Sequence, residues 1–198
     1  MNPLALARTA LVCAAALAAA LGGMLAVSTP ARLPRLEPLP RDRAAGWILG
    51  CVALAMCVPH AAVVVPDFLL PLLSPVVPVS SEFLKPFLSP VVLAAPWICA
   101  FYVDNPTARA VGGLMILLAY EVVHRTFECR FFGAPVCAAA AWLFGLAGIW
   151  LSGYPSAMRD ALRLAARRRG FRIGAACGFG VLALLFAAAA VVGRGAAR

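Results

Sequence analysis

The strongest constraint in this sequence is a succession of apolar stretches, each about as long as the hydrocarbon core of a bilayer is thick. Of the 198 residues, 64% are hydrophobic and only 13% are charged. A soluble domain of this length could not bury so much apolar surface, because a large part of its perimeter faces water. The sequence therefore predicts an all-α fold, a single membrane domain in which about six transmembrane helices form a polytopic bundle.

The six spans are predicted at about residues 9–27, 44–65, 87–103, 108–126, 135–151 and 173–192. The first span also fits a cleaved signal peptide, since Arg8 precedes it. A retained helix is favoured, because the four arginines between Arg32 and Arg43 resist translocation. Prolines break up residues 66–86, so this segment is predicted to lie at the interface, against protein or along a cavity.

The charge pattern predicts the orientation of the chain. Seventeen basic and eight acidic residues give a net charge of +9, and the basic residues gather in short segments between apolar stretches. That placement is typical of the positive-inside rule and argues against a nucleic acid partner. The first, third and fifth connections carry most of the basic residues. They are therefore predicted to face the cytoplasm, with both termini on the other side and membrane lipids as partners.

The stretch LAYEVVHRTFECRFFG at 118–133 carries the candidate chemistry. On a helix, Glu121, His124, Arg125 and Glu128 would share one stripe, and ionisable groups at a membrane boundary indicate a site. An alternative is purely structural, with Glu121 paired to Arg125 and His124 to Glu128 at a helix end. Both interpretations stay open on the sequence alone.

Three further patterns bear on ligand binding or helix packing. His60 and His124 are the only histidines and would lie toward one face, but no supporting pattern accompanies them, so no metal site is predicted. The arginines of 154–173 suit phosphate, but composition alone favours an orientation signal in contact with anionic lipid. Several glycines indicate close helix approaches: Gly112, Gly113, Gly145, Gly148, Gly174, Gly178 and Gly180.

The segment AYEVVHRTFECRFF resembles one found in the steroid 5α-reductase and polyprenol reductase family. Residues 43–47 and 159–173 look like two further stretches of that family in the same order, so the resemblance covers about 43–173. It implies a membrane-embedded reductase that transfers hydride from NADPH to a C=C bond of a steroid or polyprenyl lipid. The residues that it implies are catalytic Glu121, His124 and Arg125, and cofactor-binding Arg163 and Arg172.

The sequence departs from that family at three places. A glutamate that the family carries shortly after the position of Trp47 is Cys51 here. The tyrosine expected two residues before His124 is Val122 here, with Tyr120 two residues further back. After Ile173 the family's C-terminal cofactor motifs are missing. The sequence therefore allows three functions, namely the reductase, a non-catalytic membrane scaffold or assembly subunit, and a small transporter. The resemblance implies the endoplasmic reticulum in a eukaryote and the inner membrane in a bacterium.

Overall fold

The computed structural model describes residues 3–56, 94–99, 101–129 and 133–192, and every regular element in these ranges is helical. A 3-10 turn at Leu39–Arg41 joins the second helix to the third. The helices are α1 (Pro3–Ala26), α2 (Leu33–Leu36), α3 (Arg43–Met56), α4 (94–99), α5 (Pro106–Cys129), α6 (Ala134–Gly153), α7 (Ser156–Arg167) and α8 (Arg169–Val192).

Four of the described helices, α1, α5, α6 and α8, are long and apolar enough to cross a membrane. The all-helical prediction is confirmed for these ranges, and the four helices are compatible with an integral membrane protein. The predicted second span overlaps α3, and the predicted third span overlaps α4. Residues 57–93 lie outside the described residues, as does residue 100 of the third span. They include His60, the rest of the second span and the proline-rich segment 66–86, so the count of six spans stays a prediction.

The core forms where the four long helices meet. Helix α1 packs mainly on α8 and also on α5, while α5 packs mainly on α6. Phe144 of α6 and Phe186 of α8 are fully buried and meet edge to face, with their ring centroids 5.8 Å apart. Alanines such as Ala14 and Ala18 fill the α1 side of the core, where small side chains let helices approach closely.

Glycines bring two helix pairs together. Gly112 of α5 faces Gly148 of α6 at contact distance, which confirms the prediction for those two residues. Gly22 of α1 lies against Phe179 of α8, a close approach that the sequence analysis did not identify. A Cβ added to Gly174 or Gly178 would meet no described atom within 4 Å, so the packing role predicted for these two is wrong within the described part of the chain. The backbone nitrogen of Gly180 lies 3.6 Å from a Cβ built on Gly22, so Gly180 does belong to the close approach of α1 and α8.

Three connections of the chain meet at one end of the bundle, which is called the arginine end below and comprises residues 28–42, 103–105 and 154–168. The Thr107 hydroxyl donates to the Asp42 carbonyl oxygen at 2.5 Å, and Arg109 Nη1 donates to the Ser152 carbonyl oxygen at 3.3 Å. These bonds tie the first connection to the third and the third to the fifth. The predicted grouping of these three connections on one side is therefore present in the fold.

The fifth connection is helical, so the predicted loop at 152–172 is wrong. Apolar side chains recur in it at helical spacing, and Met158, Leu162 and Ala165 are buried against the bundle while the charged side chains lie on the other face. Helix α8 then begins at Arg169 rather than at the predicted residue 173.

The start of α5 also differs from the prediction. The helix begins at Pro106 rather than at residue 108, with Asn105 in a left-handed conformation (φ 53°) just before it. Proline suits the first position of a helix, because its missing N–H would have no partner there. The predicted span 108–126 therefore gains two residues at its start.

Candidate functional site

Glu121 and Arg125 form an ion pair along α5. Arg125 Nε donates to Glu121 Oε2 at 3.2 Å, and the two side chains are only 21% and 14% exposed respectively. Residues four apart on a helix lie one above the other, which explains the contact. The predicted pairing of Glu121 with Arg125 is confirmed, and it does not decide between a structural and a catalytic role. The side chain of Glu128, predicted to pair with His124, lies outside the described residues.

His124 lies on a different face of α5 from Arg125. Its ring stacks on that of Tyr120, with centroids 5.7 Å apart and planes 9° from parallel. Both Tyr120 and His124 are exposed, whereas Glu121 and Arg125 are half-buried beside the core. Consecutive helical residues are turned by about 100° from each other, so His124 and Arg125 cannot share a narrow stripe. Among the described side chains the predicted stripe is therefore divided, with Glu121 and Arg125 paired beside the core and His124 stacked on Tyr120.

An apolar pocket of about 200 Å³ opens laterally between α5 and α6, and it is called the lateral pocket below. Its walls include Ile116, Tyr120 and Val123 from α5, and Trp142, Leu146 and Ile149 from α6. Tyr120 brings His124 to the edge of this pocket through their ring stack. None of the three predicted catalytic residues lines the pocket itself.

The walls of the lateral pocket are almost entirely apolar. Their aliphatic and aromatic side chains suit a flat or extended hydrocarbon, and Tyr120 and Trp142 are the two lining residues whose side chains carry a polar atom. A pocket of mostly apolar walls with a few polar groups is the usual form of a site for a small hydrophobic molecule. In the sequence, Tyr120 stands out only because it lies two residues before the family's tyrosine position. Its spacing of four from His124 is nevertheless a signal that the two side chains touch on a helix.

The two arginines predicted to bind cofactor phosphates already have protein partners. Arg163 donates through Nε and Nη2 to Glu37 Oε1 of the first connection, the Nε bond being 2.9 Å long. Arg172 Nη1 donates to the Ser28 carbonyl oxygen at 3.4 Å. The Glu37 carboxylate competes with a phosphate for the Arg163 guanidinium, because both groups carry negative charge and would bind the same N–H donors. The Arg163 guanidinium is therefore occupied by a carboxylate in this structure, and NADPH binding stays a prediction.

The predicted catalytic and cofactor residues also lie far apart along the bundle. Arg163 belongs to the arginine end, where α5 begins near Thr107, and Arg172 of α8 contacts Ser28 of that end. Tyr120 lies thirteen residues further along α5, which at 1.5 Å per residue is roughly 20 Å away. The fold therefore separates the lateral pocket from the arginine pair instead of joining them in one compact site.

The chain matches no protein-family model, no curated protein and no solved structure.

Proposed function

We propose that this chain is an integral membrane protein that takes a hydrophobic, lipid-soluble molecule from the bilayer into the lateral pocket. The observation that carries the proposal is the stack of Tyr120 on His124 beside that apolar pocket. The expected ligand is a steroid-like or polyprenyl lipid with one oxygen function. Hydrocarbon would pack on the walls while Tyr120 hydrogen-bonds the oxygen.

The position of the pocket supports entry from lipid. It lies between two helices that are long and apolar enough to span a membrane, and its rim residues Trp142, Leu146 and Ile149 are all exposed. A hydrophobic ligand would therefore reach Tyr120 sideways from the acyl chains, without crossing water. The burial of such a ligand against apolar walls would stabilise the complex by packing.

A photocrosslinking experiment tests this proposal. The protein in lipid nanodiscs is exposed to a diazirine-bearing sterol and, separately, to a diazirine-bearing polyprenol, and labelled peptides are mapped by mass spectrometry. We expect labelling of residues 116–123 and 142–149 that excess unlabelled lipid suppresses. Leu146→Trp, which fills the pocket, should abolish that labelling.

Helix α6 offers a matched control for this variant. Leu143 is exposed like Leu146 but borders the groove between α6 and α8 instead of the lateral pocket. Leu143→Trp should therefore leave the labelling intact. Equal loss in both variants, or labelling spread evenly over all exposed helices, would show contact with bulk lipid rather than a site.

NADPH-dependent reduction of a lipid C=C bond is the second candidate. One observation favours it: a tyrosine lies beside the motif histidine in space, although the sequence places Val122 at the family's tyrosine position. Reduction of a C=C bond conjugated to a carbonyl needs a proton donor at the carbonyl oxygen, and the Tyr120 hydroxyl is a group of that kind.

Cofactor binding tests the reductase apart from lipid binding. If the chain is a reductase, the detergent-solubilised protein should unfold at a higher temperature with NADPH, and the rise should exceed that with NADH. If millimolar NADPH does not change the unfolding temperature while the lipid probe still crosslinks, the chain binds lipid but does not reduce it. That outcome would favour the scaffold or assembly role.

A further inference from the structure

A second apolar cavity, called the α7 cavity below, lies at the arginine end of the bundle and is separate from the lateral pocket. It has a volume of about 240 Å³, and α7 and α8 contribute Ala157, Ala161, Phe171 and Ala175 to its walls. Helices α1, α5 and α6 supply the other sides, again through apolar residues. This cavity plays no part in the function proposed above.

Three consecutive arginines connect α7 and α8, the two helices that line one side of the α7 cavity. Arg167, Arg168 and Arg169 join α7 to α8 and are all exposed. Phe171, which lines the α7 cavity, follows Arg169 by two residues. Residues 156–172 hold six arginines and a single acidic residue, Asp160, so the local charge is strongly positive.

An apolar cavity next to a cluster of cations matches an amphiphile with a negative head. The planar guanidinium group binds phosphate through paired hydrogen bonds, and each basic residue near a membrane surface strengthens the attraction to anionic lipid. We propose that the α7 cavity holds an acyl chain of an anionic phospholipid, whose phosphate headgroup is bound by Arg167, Arg168 and Arg169. The charge complementarity selects an anionic phospholipid over a zwitterionic one.

Native mass spectrometry of the detergent-solubilised protein tests this site. The protein is exchanged with phosphatidylglycerol or with phosphatidylcholine, and the retained lipid is counted. We expect one phosphatidylglycerol to be retained in preference to phosphatidylcholine. The triple variant Arg167→Gln/Arg168→Gln/Arg169→Gln should weaken phosphatidylglycerol retention on the order of tenfold or more.

The first connection supplies a matched control for lost charge. Arg32, Arg35 and Arg41 are also exposed and lie at the same end of the bundle. The variant Arg32→Gln/Arg35→Gln/Arg41→Gln removes the same charge and should leave retention near that of the unaltered protein. Equal loss of phosphatidylglycerol retention in the two triple variants would overturn the proposal. It would show that the lipid is attracted by the total positive charge of the arginine end and not by a defined site.

Filling the cavity tests the acyl chain separately from the headgroup. Ala161→Phe should reduce phosphatidylglycerol retention, and Ala157→Phe provides a second filled variant if the first does not fold, as judged by gel filtration. Inorganic phosphate at millimolar concentration should not displace the lipid, because it has no chain for the cavity. Unchanged retention in a folded filled variant, or displacement by phosphate alone, would overturn the proposal.

Discussion

Gly112 of α5 and Gly148 of α6 lie back to back where the two helices cross. A Cβ built on either residue would lie 2.7 Å from the carbonyl oxygen of the other. The obstructing atoms are backbone, so no side-chain rotation can relieve the clash. The crossing therefore sets how closely α5 and α6 approach, and these two helices form the lateral pocket.

Gly112→Ala should destabilise the protein, even though alanine favours helix over glycine by about 1 kcal/mol. Overpacking of a tight contact costs about 1–3 kcal/mol, which outweighs that gain. Gly113→Ala is the control, because a Cβ there meets no described atom within 4 Å. The midpoint of thermal unfolding in detergent should fall for the first variant and stay equal or rise for the second. The same midpoint for both would contradict the tight crossing.

The ion pair of Glu121 with Arg125 predicts a non-additive effect of mutation. Either Glu121→Gln or Arg125→Gln leaves one charge in a mostly apolar setting, and breaking a buried pair costs more than replacing both members. The variant Glu121→Gln/Arg125→Gln should therefore unfold at a higher temperature than at least one of the single variants. Additive losses would argue against mutual stabilisation.

Activity separates the structural role of this pair from a catalytic one. If reduction occurs, a catalytic Arg125 predicts lost turnover in Arg125→Gln with the fold intact. A structural pair predicts that turnover of the double variant recovers together with its stability. Turnover that stays lost in a stable double variant would show that the pair does more than support α5.

The sequence predicted the long helices because their apolar stretches match bilayer thickness, and that signal does not depend on tertiary contacts. It also predicted the grouping of three connections at one end, which the Asp42 to Thr107 bond shows directly. The sequence does not predict helix α7, because its arginine-rich composition is typical of a cytoplasmic connection. The helical spacing of Met158, Leu162 and Ala165 is the signal that indicates the helix.

The site was harder to predict than the fold because it depends on which helix face meets which neighbour. The spacing of Glu121 and Arg125 predicts a local ion pair, and the pair is present. Spacing alone cannot tell that Tyr120 faces α6 and lines a pocket, since that requires the rotation of α5 in the bundle. The Glu37 partner of Arg163 is 126 positions away in sequence, beyond any local pattern.

The placement of the arginine end predicts the orientation of α8. If the positive-inside rule holds, the arginine end faces the cytoplasm and the helix runs away from it toward the other side. Alkaline phosphatase fused after residue 198 should then be active in a bacterial host, whereas green fluorescent protein at the same point should stay dark. Bright fluorescence with inactive phosphatase would reverse the assigned orientation.

The contact of Glu37 with Arg163 distinguishes a structural arginine from a cofactor-binding one. Both side chains are more than one-third exposed, so the pair should contribute only about 0.2–1 kcal/mol, and less at high salt. Glu37→Ala and Arg163→Ala should therefore each lower the unfolding midpoint slightly, and the double variant should lower it little further.

NADPH makes the same pair of variants informative about function. If Arg163 binds a cofactor phosphate, Glu37→Ala removes a competing carboxylate and should increase the stabilisation by NADPH, while Arg163→Ala should decrease it. Arg35→Ala, at an exposed arginine of the first connection, controls for the loss of one positive charge. If Arg163 only fastens α7 to the first connection, all three variants should respond to NADPH alike, because none of them then alters a phosphate contact.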